Sequence, residues 1–72
     1  MEFNEKLQEL RKRKGLTQEE LAERLSVTQG AVSQWENGAT SPRTEMLLRI
    51  AEVLNVTVDE LLRPRDEEGE GE

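Results

Sequence analysis

Seventy-two residues make one small domain, and a domain of this size buries only about 60% of its unfolded surface. Cysteine, histidine and tyrosine are absent, which excludes disulfides and thiolate metal sites and removes the commonest general base, so no enzyme activity, metal or cofactor is expected. The formal net charge of −6 is concentrated at one end: residues 66–72 carry five acids and no base, while residues 1–65 hold ten bases against eleven acids, a net of −1.

The first ten residues are charged and amphipathic, without the apolar run of a signal peptide, and no later stretch is long and apolar enough to span a bilayer. The expected location is therefore the cytoplasm. Phe3, Leu7, Leu10 and Lys14 recur at three- to four-residue spacing, one helical face that is apolar through Leu10. Asn4, or the residue before it, is the candidate cap for the start of this helix. Lys12, Arg13 and Lys14 suit its carbonyl end, and Gly15 is a natural left-handed stop.

Thr17-Gln18-Glu19-Glu20 has the spacing of a capping box, with Thr17 and Glu20 satisfying each other's backbone N–H groups. Leu21, Ala22 and Leu25 form the apolar face of the helix it opens. Ser26-Val27 is a very short connection, and Thr28 caps a third helix over Gln29–Glu36. Ala31, Val32 and Trp35 face inward in that helix, and Asn37-Gly38 ends it. Trp35 is read as packing between helices rather than stacking on a ligand.

Pro42 is a stop signal, so Arg43 or Thr44 opens helix four, with Leu47, Ile50, Ala51 and Leu54 inward. Asn55 tolerates the left-handed conformation that closes it, and Val56 is assigned to the core. Thr57 caps a last helix over Val58–Leu62, which carries Asp59 and Glu60 in its first turn. Val58, Leu61 and Leu62 exceed what so short a helix needs inside, so one or two of them are candidates for a dimer patch, against plain core packing. Residues 63–72 lack apolar side chains and are expected to be a disordered acidic tail. That tail is either a solubilising end or a competitor for a basic face.

Two helices joined by a tight turn, the second of them polar, have the shape that docks in the DNA major groove. Gln29 and Gln34 carry amides able to pair with adenine N6 and N7. Thr28 and Ser33 can donate or accept at base edges. Gln18, Asn37 and Arg43 stand at helix starts and in a loop, where phosphate contacts arise. Lys12 and Lys14 add charge toward phosphate or are simply solvated.

The chain resembles the phage-repressor-like (Cro/cI, or XRE) helix-turn-helix family. The resemblance is carried by Leu10-Arg11, by 15–22 (GLTQEELA), by 32–38 (VSQWENG), by Pro42, and by Leu47, Ile50, Ala51 and Leu54. It covers about residues 5–62. It implies an all-α, compact five-helix domain over 1–62, and a homodimer on palindromic double-stranded DNA. It puts base reading on Gln29, Gly30, Ser33 and Gln34, and phosphate contacts on Gln18, Asn37 and Arg43. It also implies an ion pair between Arg11 and Glu36, which makes Arg11 structural more than a DNA contact.

Two positions depart from the family pattern. Ser26 stands where the family favours glycine, so a left-handed turn there is strained. Gly30 stands where many relatives have a longer polar side chain, which removes one base reader and lets backbone approach the groove. The reading is a sequence-specific DNA-binding transcriptional regulator, a repressor associated with the nucleoid, with no small-molecule sensor domain. The alternative is a protein-interaction module on the same fold, such as an antitoxin or anti-repressor.

Overall fold

A computed structural model describes residues 3–62. The acidic tail expected over 63–72 lies outside them. Five helices follow one another: α1 (Phe3–Arg13), α2 (Gln18–Leu25), α3 (Gln29–Glu36), α4 (Thr44–Leu54) and α5 (Val58–Leu62). None exceeds 11 residues, and isolated helices that short are marginal in water, so packing must hold them.

Eight side chains supply that packing and are at most 1% exposed: Leu7, Leu10, Leu21, Leu25, Val32, Ile50, Leu54 and Leu61. Each contributes about 1.5–3 kcal/mol by leaving water. They come from all five helices, so no helix owns the core. α3 rests on α2 and α1, α4 packs on α2, and α5 closes against α1 and α4.

The helix ends follow local chemistry. Thr17 Oγ1 accepts from Glu20 N at 3.0 Å, and Glu20 Oε1 accepts from Thr17 N at 2.9 Å, a complete capping box. Thr28 and Thr57 cap α3 and α5 through bonds from Ala31 N (3.1 Å) and Glu60 N (2.9 Å). α1 is followed by Gly15 at φ +74, and α4 by Asn55 at φ 59. Between α2 and α3, Ser26 takes φ 61 and ψ 40. A non-glycine residue in that region carries about 1 kcal/mol of strain.

Three expectations about the helices need correction. Asn4 caps nothing: α1 already begins at Phe3, and the Asn4 amide instead donates to the Glu36 carbonyl at the end of α3 (3.3 Å). Lys14 falls beyond the end of α1 and is exposed. Leu61 cannot belong to a surface dimer patch, because it is 0% exposed and sits in the core. α5 packs between α1 and α4, and that packing turns Leu61 inward and leaves Leu62 52% exposed. Val58, Leu47 and Val56 are half-buried against the core.

Lys6 is a buried cation that the apolar spacing of α1 does not reveal, being 7% exposed. Its stem lies along the core while its ammonium reaches Glu60 Oε2 on α5 at 3.7 Å.

Candidate nucleic-acid interface

α3 divides into two faces. At about 100° per residue, Ala31, Trp35, Val32 and Glu36 occupy one side, and Gln29, Ser33, Gly30 and Gln34 occupy an arc of about 140° on the other. The inner side is buried or half-buried; on the outer side Gln29, Gly30 and Gln34 are exposed and Ser33 is half-buried. The two glutamine amides stand at the edges of the arc, and its centre holds the two smallest side chains. The outer arc bears no charge. The one ionised residue of α3, Glu36, is turned inward and is 6% exposed.

Burial of that carboxylate is compensated by a network. Arg11 Nε donates to Glu36 Oε2 at 2.6 Å, and Arg11 Nη2 donates to Oε1 at 3.1 Å. Such a paired fork is the strongest geometry available to an arginine and a carboxylate. Gln18 Nε2 donates to the same Oε1 at 3.0 Å, and Arg11 Nη1 donates to the Leu16 carbonyl at 2.7 Å. Together with the Asn4 bond to the Glu36 carbonyl, these contacts tie α3 to both ends of α1 and to the start of α2. The network sets the position of the outer arc while leaving its side chains unengaged.

The other candidate residues fall around this arc. Thr28 is exposed at the start of α3, and its Oγ1 is engaged in capping. Its hydroxyl proton remains available to donate. Asn37, after α3, is exposed and its Oδ1 accepts from Ala39 N at 2.9 Å. Arg43 is exposed immediately before α4. Gln18 is half-buried, and its amide is committed to Glu36. Among the described residues, neither Arg43, Lys12 nor Lys14 is held in an ion pair.

Two features are not apparent from sequence spacing. The first is the role of Gln18 in the Arg11–Glu36 network; its only signal was its place beside Thr17 at the start of α2. The second is Arg49, which lines an open groove of about 310 Å³ together with Arg43, Trp35, Pro42 and Met46. Arg49 lies six residues beyond Arg43, a spacing that suggests no pairing.

The family described as "Helix-turn-helix" matches residues 7–61. The chain belongs to the helix-turn-helix family. A helix-turn-helix relative, the HTH-type transcriptional activator BcrR of Enterococcus faecalis, is 56% identical over 62 residues, covering 86% of this chain and 30% of BcrR. The chain spans between 30% and 57% of the length of the first curated relatives it matches. Among solved helix-turn-helix structures, the P22 c2 repressor in complex with a synthetic operator superposes with a TM-score of 0.83 at 31% identity, covering 90% of this chain and 98% of that one. The biofilm regulator SinR in complex with DNA superposes with a TM-score of 0.76 at 32% identity, covering 82% of this chain and 95% of that one. The helix-turn-helix unit here is α2, the Ser26-Val27 connection and α3.

Proposed function

We propose that this chain is the DNA-binding domain of a transcriptional regulator and reads an operator in the major groove with α3. The observation that carries the reading is the uncharged outer arc of α3, exposed at Gln29, Gly30 and Gln34 while the opposite side is locked to α1 and α2. Its support is the superposition on a repressor bound to its operator. Gln29 and Gln34 contact base edges, with Thr28 and Ser33 donating or accepting beside them. Asn37, Arg43 and the backbone at the start of α2 meet phosphate, with Gln18 there holding Glu36 in place.

The domain works as a homodimer on a palindrome, with half-sites about 34–36 Å apart. Leu62 and the half-buried Val58 are the α5 side chains available to that interface. The protein acts in the cytoplasm, on the nucleoid. Repression follows where the operator overlaps a promoter; one relative is named an activator. An interaction module without DNA is the less favoured reading, because relatives such as BcrR and ImmR are transcriptional regulators.

Selection of duplexes from a random pool tests the proposal. An enriched palindrome is expected, and Gln29→Ala and Gln34→Ala each weaken its binding by about 1–3 kcal/mol without changing oligomeric state. A pool that yields no enriched sequence, or variants that bind as the parent does, would refute it.

A further inference from the structure

The described residues include three glycines, and the fold explains two of them. Gly15 and Gly38 have φ of +74 and +84, where a side chain is strained. Gly30 is different. It lies in the first turn of α3 with ordinary helical backbone, and a Cβ built on it meets only Thr28 Oγ1, at 3.8 Å. That is ordinary contact. A helix is weakened by glycine relative to alanine. The fold therefore gives up stability at Gly30 and receives nothing in return within the chain.

The position of Gly30 shows where the return lies. It is exposed near the middle of the outer arc, between Ser33 and Gln34 by helical angle, with Gln29 at the far edge. The arc is thus a saddle, with amides at its edges and bare backbone in its centre. We infer that Gly30 is a specificity-determining residue: its missing side chain lets the α3 backbone seat against the base-pair edges of the major groove, deep enough for Gln29 and Gln34 to reach their bases together. The inference rests on the proposed function and adds to it a contact made by the absence of a group. In this geometry one added methyl acts as a spacer, lifting both glutamines from their partners while disturbing nothing inside the protein.

The test is Gly30→Ala in the full chain, with two readouts. Thermal unfolding reports the fold: an unneeded glycine predicts a midpoint higher by about 2–8 °C in a domain this small. Titration with the duplex recovered from the random pool reports binding: affinity is expected to fall tenfold or more, while affinity for a scrambled duplex of equal length changes less than twofold. A more stable variant that binds the selected duplex as tightly as the parent overturns the inference and leaves the proposed function standing. A lower midpoint also overturns it, since the fold would then need the glycine. A parent chain for which the pool yields no preferred duplex overturns both.

Discussion

Arg11→Ala is the substitution that most directly tests how α3 is held. Glu36 is 6% exposed and its carboxylate accepts three hydrogen bonds, two from Arg11 and one from Gln18. Truncating Arg11 leaves that carboxylate buried with one neutral donor, and also strips the Leu16 carbonyl of its guanidinium partner. Removing one member of a buried pair costs about 3–5 kcal/mol. At about 0.05–0.15 kcal/mol per residue, the 60 described residues have a total stability of about 3–9 kcal/mol. The variant should therefore keep at most about 6 kcal/mol, and it unfolds at room temperature where the parent lies at the low end of that range. Urea titration followed by far-UV circular dichroism measures this. With an m-value of about 1 kcal/mol/M, the midpoint should fall by about 3–5 M. Replacing both partners by apolar residues, Arg11→Met with Glu36→Leu, removes the stranded charge and should recover most of the loss. The reasoning fails if Arg11→Ala costs under about 1 kcal/mol, the value of an exposed pair.

The left-handed Ser26 predicts that Ser26→Gly raises stability by up to about 1 kcal/mol; a loss in the same urea titration would contradict the strain assigned there. Burial predicts that Leu61→Ala destabilises the monomer by about 2–5 kcal/mol, whereas Leu62→Lys spares folding and weakens self-association in sedimentation equilibrium. A proposed phosphate set of Arg43, Lys12 and Lys14 predicts that log affinity against log salt slopes no more steeply than about −3 per protomer. A slope near −6 would mean that phosphate contacts dominate.

Local features of the fold were legible because their causes are local. The Thr17–Glu20 capping box, the stops at Gly15 and Asn55, and the caps Thr28 and Thr57 each depend on residues within a few positions of one another. The inward and outward sides of α3 were equally legible, since eight residues suffice to show a helical period. Contacts between distant elements were not. Asn4 with Glu36 and Lys6 with Glu60 join residues 32 and 54 positions apart, and only the assembled packing brings them together. Arg11 with Glu36 was expected from family resemblance rather than from spacing. Gln18 was placed correctly at the start of α2, but its bond to Glu36 requires knowing how α2 meets α3. Leu61 and Leu62 were indistinguishable because a five-residue helix is too short for a period to assign its faces.

The uncharged outer arc of α3 also bears on how quickly an operator is found. Electrostatic attraction raises protein association rates to about 10⁸–10⁹ M⁻¹s⁻¹, whereas docking without it proceeds at about 10⁵–10⁷ M⁻¹s⁻¹. With a net charge of −6 and no lysine or arginine on α3, a chain that reads DNA through that helix as proposed would belong to the slower class. Its encounters with DNA are then governed by diffusion and orientation, and its hold on one sequence over another by residence time. On the proposed reading, such a domain would spend little time trapped on arbitrary DNA, and the lifetime of the bound complex would be the quantity that Gln29, Ser33 and Gln34 control.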